Sequence, residues 1–352
     1  MATIFKRFTP DLYEACYSVE EEEDGLRLDI YLSRFFLSFS RQQIKKKIIS
    51  GEIRIKNRPH PHKPNSKVYL NEHVYICTPR GDLEDEMWNG EKLELPDPTL
   101  IADEDHLLVV NKPPFMTTHP TGKHLFYCAT VYYEQIYNHT IHSIHRLDRE
   151  TSGIQLLALN PKVANVYTED FEYGRVKKAY FLIAHKKKDV AFPFSAKERM
   201  DHEDDFIPRT YVHCYSEDSK KGKHAHTDFE LVLEKDDYYF ALAYPHTGRQ
   251  HQIRTHAAFH GFPLLGDKLY NGDPTVFMRF KDVIATEEDH KLMQIPRHAL
   301  HSVGIKLKDR DVYIADLPHD FKNWIKDNLE VDIESLEKTI KEKVRLRLTG
   351  KN

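Results

Sequence analysis

One charged stretch, residues 145–154, constrains the path of this chain more than any other feature of the sequence. It reads His-Arg-Leu-Asp-Arg-Glu-Thr-Ser-Gly-Ile and places one carboxylate, Asp148, between two arginines. The apolar Ile144 precedes it, and an apolar run of strand length begins at Ile154. This pattern predicts a charged loop between two buried elements. Loops in such positions carry binding and catalytic residues more often than cores do.

Three further regions contain polar residues next to apolar runs, in a fixed order along about 200 residues. They are Leu107 to Pro120, Lys177 to Ile183, and Thr247 to His256 with its continuations Gly266 to Gly272 and Pro296 to His301. Together with the charged stretch they resemble the RluA family of RNA pseudouridine synthases, whose catalytic motif is His-Arg-Leu-Asp, a charged pair and Thr-Ser-Gly. An isolated Arg-Asp pair would otherwise be interpreted as a weak surface salt bridge.

The resemblance implies an enzyme that isomerises uridine to pseudouridine in RNA without a cofactor. It assigns Asp148 as the catalytic carboxylate and Arg249 as its charge partner. It places Tyr180 against the face of the target uracil, where the residue also helps to remove a proton. It places Arg146 near the position that the uracil vacates in the RNA stack.

Elementary chemistry agrees with these roles and leaves alternatives open. A carboxylate that must stay ionised while partly buried needs a nearby cation, because burial alone raises its pKa. Extruding a base costs a few kcal/mol, and stacking on a ring returns ~1–3 kcal/mol. Tyr180 could instead be a core residue of its strand, and Arg146 could contact phosphate. Asp148 could attack the sugar, attack the base or abstract a sugar proton.

Charge is strongly segregated along the chain, although the net charge is only −4. Residues 27–67 contain eleven lysines and arginines against two acidic residues, whereas residues 81–106 contain ten acidic residues against one lysine. A local basic face binds phosphate whatever the global charge, although a solvated surface is the alternative. The candidate RNA contacts in this face are Arg41, Lys45, Lys46, Lys47 and Arg54.

The basic region also has a recognisable pattern. Apolar residues at positions 28, 31, 32, 35 and 36 predict a helix, and Ser40 is a plausible N-cap for a second helix that Gly51 ends. Two short helices followed by small strands resemble the S4 RNA-binding domain. The predicted organisation is an acidic N-terminal extension (1–24), an S4-like domain (25–80), an acidic linker (81–98), a catalytic domain (99–320) and a C-terminal helical tail (321–352).

The catalytic domain is rich in short apolar runs typical of strands. They are Leu107 to Asn111, Ile154 to Ala158, Ala179 to Ala184, Thr227 to Leu233, Tyr238 to Ala243 and Val303 to Leu307. Helical patterns are fewer, at Ala129 to Asn138 and Pro161 to Tyr173. This inventory predicts an α+β fold with a largely antiparallel sheet, and the resemblance implies that the sheet is curved. Residues 186–223 are interpreted as an insertion, and the tail as a closing helix.

Several function classes lack sequence support. No apolar run reaches the length of a membrane span, and the acidic first 24 residues do not resemble a leader, so we expect a cytoplasmic protein. The four scattered cysteines predict neither disulfides nor zinc. His256 and His260 lie four residues apart, but no third ligand is suggested, so we expect no metal. Nucleotide-binding and serine-hydrolase motifs are absent from the sequence.

The sequence therefore predicts a cofactor-free pseudouridine synthase, expected as a monomer, that acts on RNA and most simply on large-subunit ribosomal RNA. A transfer-RNA synthase is the alternative within the class. A non-catalytic RNA-binding protein of ribosome assembly and an aspartate-nucleophile hydrolase are the alternatives from other classes.

Overall fold

The chain divides into two units, each with its own sheet and core. This structure, a computed structural model, describes residues 2–8, 12–34, 40–80, 85–121, 124–203, 208 and 210–350. Unit 1 comprises Met1–Glu86 and Thr117–Ile141, and unit 2 comprises Met87–Met116 and His142–Asn352. In the described part of the chain, no helix has both the length and the apolar character needed to cross a membrane.

Unit 1 is built on a four-stranded antiparallel sheet. Its elements are β1 (Ala2–Phe8), β2 (Leu12–Ser18), α1 (Leu28–Ser33), α2 (Arg41–Ile49), β3 (Ile53–Ile55), β4 (His73–Pro79) and α3 (Ala129–Tyr137), with a 3-10 turn at Glu21–Glu23. The strand order is β1-β2-β4-β3. The expectation of an acidic extension over residues 1–24 is wrong for this segment, because β2 pairs with β4 along its whole length. Alternation buries Tyr13, Ala15 and Tyr17, which pack in the core of this unit.

The predicted N-cap of the second helix is confirmed. The Ser40 hydroxyl accepts a hydrogen bond from the backbone N–H of Gln43, whose side chain returns one to Ser40. Ile44 and Ile48 of α2 are buried, as their spacing predicts. The preceding helix α1 is described to Ser33, and its predicted apolar positions 35 and 36 lie outside the described residues.

Unit 2 contains most of the strands and a large mixed sheet. Its strands are β5 (Met87–Trp88), β6 (Glu91–Lys92), β7 (Thr99–Glu104), β8 (Leu107–Lys112), β9 (His142–Ser143), β10 (Ser152–Ala158), β11 (Lys177–His185), β12 (Phe194–Ala196), β13 (Arg199–Asp201), β14 (His213–Tyr215), β15 (Lys223–His224), β16 (Thr227–Lys235), β17 (Tyr238–Pro245), β18 (Leu300–Lys306) and β19 (Val312–Ile314). Its helices are α4 (Pro161–Glu172), α5 (Gln252–Phe259), α6 (Thr275–Lys281), α7 (Glu287–Met293), α8 (His319–Asn328) and α9 (Ile333–Thr349).

The large sheet follows the order β12-β16-β17-β11-β18-β10-β8-β7. In addition, β9 pairs with β10, and β19 pairs with β18. β10 and β18 run parallel, and the other described pairs are antiparallel, which confirms the predicted antiparallel-rich α+β sheet. Gly153 lies at the parallel contact with a φ of +105°. A Cβ there would lie 2.3 Å from the carbonyl oxygen of Ser302, so only glycine lets these two strands approach.

Three further segments contain more regular structure than their sequences predict or confirm a predicted helix. Within 81–98, expected as a linker, β5 and β6 form a hairpin whose Trp88 stacks on Phe280 with ring centroids 5.7 Å apart. The insertion 186–223 contributes β12 to the large sheet and, with the adjoining His224, forms a three-stranded sheet of β14, β13 and β15. In the tail, α9 buries Leu336, Ile340, Val344 and Leu348 against the core of unit 2.

Candidate active site

The charged stretch forms a turn between β9 and β10, as predicted. The backbone N–H of Thr151 donates to the carbonyl of Asp148 at 3.0 Å and closes the turn. The Thr151 hydroxyl lies 2.8 Å from Nε2 of His298, in the segment that leads into β18. His145 is a scaffold, since its Nε2 accepts the backbone N–H of Leu156 at 3.0 Å. These contacts fix the turn to β10 and to the segment that precedes β18.

Buried hydrogen bonds from side chains hold the backbone of the turn in place. Lys112 is fully buried, and its Nζ donates to the carbonyls of Pro113, Met116 and Arg149 at 2.9, 2.8 and 3.3 Å. Glu150 accepts a hydrogen bond from Lys268 at 2.9 Å and one from the backbone N–H of His298 at 3.2 Å. These partners come from separate segments, so the loop is rigidly positioned by tertiary contacts.

A cavity of about 310 Å³ opens beside this turn, within the ~300–1,000 Å³ range of small-molecule sites. The sequence-predicted residues Arg146, Asp148, Tyr180 and Arg249 all line it. The structure therefore brings together four residues that three separate segments supply.

Asp148 is paired with Arg254 rather than with Arg249. The Arg254 Nη1 donates to Oδ2 of Asp148 at 3.3 Å, and the Nε2 of His251 lies 3.8 Å from the same oxygen. Arg249 instead donates its Nε to the carbonyl of His224 at 3.1 Å. The prediction that Arg249 is the charge partner is wrong, because the N-terminal turn of α5 directs Arg254 to the carboxylate.

Arg254 is itself held by a second carboxylate. Its Nε and Nη2 donate to the two oxygens of Asp267 at 2.7 and 2.8 Å in a bidentate pair. Asp267 is fully buried and also accepts the backbone N–H groups of Leu269 and Tyr270 at 3.0 and 3.2 Å. The guanidinium is therefore fixed on one side, which leaves Nη1 available to Asp148.

The electrostatics of the cavity keep Asp148 ionised. Burial raises the pKa of this carboxyl, but the charges of His251 and Arg254 outweigh burial and hold the pKa below its ordinary value. Burial also lowers the pKa of His251 to about 3, so this ring is neutral at pH 7. The cation that sustains the Asp148 charge at neutral pH is consequently Arg254.

Tyr180 and Lys178 enter the cavity from β11. They are two residues apart on a strand, so their side chains share one face of the sheet. Burial raises the pKa of Tyr180 to about 12, with a hydrogen bond to Ser302 acting in the opposite direction. Burial lowers the pKa of Lys178 to about 8. At neutral pH the cavity thus presents a phenol hydroxyl as well as a carboxylate.

The remaining predicted RNA contacts differ in their surroundings. Arg146 is exposed at the cavity, and its side chain has no partner among the described residues. In unit 1, Arg41, Lys45 and Lys46 are exposed on α2, whereas Lys47 forms an ion pair with Glu52. Arg54 is exposed and donates its Nε to the carbonyl of Gly51 at 2.9 Å.

Sequence reasoning missed Lys178 and Arg254, which line the cavity, and Asp267, which holds Arg254 from behind. Each lies inside a segment that carries the family resemblance, so the available signal was the motif itself. Strand alternation links Lys178 to Tyr180, but no local pattern decides between Arg249 and Arg254.

Two groups of side chains in the described residues have donor atoms spaced for a metal ion. One contains Glu198, Cys214 and His256, and the other contains His226, Asp228 and His246. The sequence suggests no third ligand for His256, because residues that are distant in the chain cannot be recognised as its neighbours from spacing alone. The structure instead brings a glutamate and a cysteine of the insertion to it.

Comparison with known proteins finds similarity to RNA pseudouridine synthases. A profile of the RNA pseudouridylate synthase family matches residues 106–259, which include Asp148, Tyr180 and Arg254. An uncharacterised RNA pseudouridine synthase of Aquifex aeolicus is 30% identical over 271 residues, covering 72% of this chain and 79% of the relative. The ribosomal large subunit pseudouridine synthase D of Vibrio cholerae is 28% identical over 307 residues, covering 84% and 87%.

Among solved structures, human RNA pseudouridylate synthase domain containing 4 superimposes with a TM-score of 0.49 at 22% identity, over 64% of this chain and 91% of that one. The family profile spans all of the residues that line the cavity except Leu300, and the Aquifex aeolicus relative shares most of its length with this chain at 30% identity. The chain therefore belongs to the family of RNA pseudouridine synthases.

Proposed function

We propose that this pseudouridine synthase isomerises specific uridines in large-subunit ribosomal RNA, with Asp148 as its catalytic carboxylate. The observation that carries the proposal is the ionised Asp148 in a cavity, paired with a buried arginine. The choice of ribosomal RNA is supported by the Vibrio cholerae relative, whose name describes it as a pseudouridine synthase of the ribosomal large subunit.

The reaction breaks the bond from ribose C1′ to uracil N1, turns the uracil, and joins C1′ to C5, with loss of the C5 proton and gain of a proton at N1. Atoms are conserved, so the step needs neither a redox partner nor a phosphoryl donor. Asp148 supplies the electron pair as a nucleophile or as a base. Arg254 keeps that pair unprotonated, and Asp267 keeps Arg254 in place.

Tyr180 is proposed as the platform for the detached uracil and as the group through which the C5 proton leaves. Its raised pKa means that a free phenolate is rare at neutral pH. The hydroxyl can therefore take the proton only while it passes its own proton onward. The hydrogen bond with Ser302 favours the ionised form of the Tyr180 oxygen and so makes it a better acceptor for the C5 proton.

The target base must leave the RNA stack to reach the cavity, at a cost of a few kcal/mol. Arg146 is exposed at the cavity and without a partner in the described residues, so it is free to occupy the vacated place in the stack. Contact with a phosphate is the alternative role for this guanidinium.

Residues 25–80, within unit 1, are proposed as an S4-like RNA-binding domain. Two helices followed by short strands support this assignment, and so do the exposed cations of α2. Such cations bind phosphate by releasing counterions, so the domain contributes affinity without reading sequence.

The test is to map pseudouridines in total RNA from cells with and without this protein. Loss of a modification in large-subunit ribosomal RNA, restored by the wild type but not by Asp148→Asn, is the expected result. Loss confined to transfer RNA would replace the proposed substrate. Restoration by Asp148→Asn would contradict a catalytic role for this residue.

A further inference from the structure

A second polar cluster lies outside the catalytic cavity, where the insertion meets helix α5. Glu198 lies between β12 and β13, Cys214 lies in β14, and His256 lies in α5. The Cys214 Sγ, a Glu198 carboxylate oxygen and a His256 ring nitrogen all lie within 4.8 Å of one another. Three residues from separate segments therefore converge on one point.

The cluster contains two buried polar atoms that lack a partner within the described residues. His256 is fully buried, and its Nδ1 is hydrogen-bonded to the Thr227 hydroxyl at 3.0 Å. Its Nε2 faces Oε2 of Glu198 at 3.7 Å. Neither atom has a side-chain hydrogen bond among the described residues, and the other contact of the ring is with the backbone of Glu198. Buried polar groups are normally satisfied, so this pair points to a missing ligand.

The separation of these two atoms fits metal coordination better than a hydrogen bond. Zinc–nitrogen and zinc–oxygen bonds of ~2.0–2.2 Å in a tetrahedron place the two ligand atoms ~3.3–3.5 Å apart. The 3.7 Å between Nε2 of His256 and Oε2 of Glu198 is close to this separation, and a small rotation of the carboxylate would reach it. A thiolate, an imidazole and a carboxylate are donors that together favour Zn²⁺ over Mg²⁺ or Ca²⁺.

We propose that Glu198, Cys214 and His256 bind one Zn²⁺ ion that fastens the insertion to α5. His260 donates from Nε2 to the other carboxylate oxygen of Glu198 at 3.0 Å, and Thr227 orients the His256 ring. Such outer contacts orient metal ligands and fix the histidine tautomer. The fourth position of the tetrahedron is left for water.

The three-stranded part of the insertion has only a small core of its own. The buried apolar residues of the three-stranded sheet are Met200, Val212 and Ala225. Small units of this kind are commonly stabilised by a structural metal. The same helix α5 carries Arg254, so the ion would also restrain the element that presents this arginine to Asp148.

Zinc binding should release a proton from the Cys214 thiol. An ordinary thiol, with a pKa of ~8.5, is mostly protonated at pH 7, whereas zinc binds the thiolate. Zinc binding therefore forms a zinc–sulfur bond while the thiol proton passes to solvent. One proton is released per ion, and the affinity rises about tenfold per pH unit.

The other group of candidate ligands provides a control. Asp228 already accepts hydrogen bonds from Ser195 at 2.5 Å, His246 at 2.8 Å and Arg347 at 2.6 Å. A guanidinium at this position opposes a cation, so we expect no zinc there.

The first test measures zinc in the full-length protein after chelation, addition of Zn²⁺ and removal of unbound ion. We expect one zinc per chain for the wild type, Cys77→Ser and His246→Gln, and at least a tenfold loss of affinity for Cys214→Ser and Glu198→Gln. Equal affinity of Cys214→Ser and the wild type would overturn the site. So would the absence of zinc from the wild type.

A second test does not depend on whether any variant folds. Cobalt(II) added to the zinc-free wild type should give a thiolate-to-cobalt charge-transfer absorption, and zinc should displace it. Zinc titration in weak buffer near pH 7 should release about one proton per ion. A cobalt complex without the thiolate band, or zinc binding without proton release, would contradict coordination by Cys214.

Discussion

The Asp148 cavity and the basic face of helix α2 both present positive charge, but they hold it in opposite ways. In the cavity, Arg254 is 5% exposed and bound on two sides by carboxylates. On α2, Arg41, Lys45 and Lys46 are exposed, and their side chains have no partner among the described residues.

The difference follows from the cost of removing charge from water. A buried ion must be paired, and breaking such a pair costs ~3–5 kcal/mol. An exposed cation costs little to leave free, and it can exchange its counterions for RNA phosphates. The paired charges are therefore suited to controlling protonation, and the free charges to supplying affinity.

The largest expected effect is the loss of chemistry in Asp148→Asn. The substitution keeps the shape of the side chain and removes the charge, so isomerisation should fall at least ~100-fold, equivalent to ~2.7 kcal/mol. RNA affinity, measured by filter binding at fixed salt, should stay near wild type. Turnover above about a hundredth of the wild-type value would remove Asp148 from the catalytic role.

Replacing the charge partner should change the pH dependence of the reaction. The Asp148 pKa lies below its ordinary value, so activity should persist as the pH falls towards that pKa. Arg254→Met removes the cation that opposes the effect of burial. The pKa of Asp148 should therefore rise, and the acidic limb of the kcat/KM profile should move to higher pH. The pH–rate profile of single-turnover reactions measures this shift.

Two controls separate electrostatics from misfolding in that experiment. Arg254→Met strands the buried Asp267, so the variant should be compared with Arg254→Met/Asp267→Asn, which removes both charges. Arg249→Met should leave the acidic limb in place, because Arg249 bonds to a backbone carbonyl. An upward shift in Arg249→Met equal to that in Arg254→Met would show that the assigned pair is wrong.

Two substitutions of Tyr180 distinguish a role in stacking from a role in proton transfer. Tyr180→Phe keeps the ring and loses the hydroxyl, so the glycosidic bond should break while rearranged product forms poorly. Tyr180→Ala should lose in addition the ~1–3 kcal/mol of stacking one base on one ring. Product and detached uracil are measured separately by chromatography. Near-normal product formation by Tyr180→Phe would confine the residue to stacking.

The smallest effects are expected on the basic face of α2. Lys45→Gln/Lys46→Gln should weaken RNA binding and reduce the slope of log affinity against log salt by ~0.7–0.9 per lost contact. Lys47→Gln is a matched control on the same helix, where pairing with Glu52 should make the change smaller. If Lys45→Gln/Lys46→Gln keeps the wild-type slope, the face is only a solvated surface.

Point substitutions are preferable to deleting residues 1–80 in this test. Leu125 and Phe126, which lie beyond that segment, pack against the core of unit 1. A deletion would therefore expose apolar surface as well as remove charge.

Much of the fold follows from local sequence patterns. The six apolar runs predicted as strands lie within or overlap β8, β10, β11, β16, β17 and β18. Helices at Ala129–Tyr137 and Pro161–Glu172 agree with their predicted positions to within a residue. These patterns succeed because burial of one face imposes the period of the element on the sequence.

Other elements depended on partners that are distant in the chain. Residues 12–18 were interpreted as an extension because their acidic neighbours hid the alternation that pairs them with β4. The insertion was interpreted as irregular because its strands are two or three residues long. Such short strands exist only where a neighbouring strand satisfies their backbone groups.

The sequence by itself determined the turn around Asp148, the strand that carries Tyr180, and the family to which both belong. Tertiary structure decided which arginine meets the carboxylate. Arg249 and Arg254 lie five residues apart in one motif, but α5 begins between them, after His251 in a left-handed conformation with φ of 54°. The helix turns Arg254 towards Asp148, which is 106 positions away along the chain. Tertiary structure likewise brought Glu198 and Cys214 to His256, because only packing specifies contacts between segments that no local period connects.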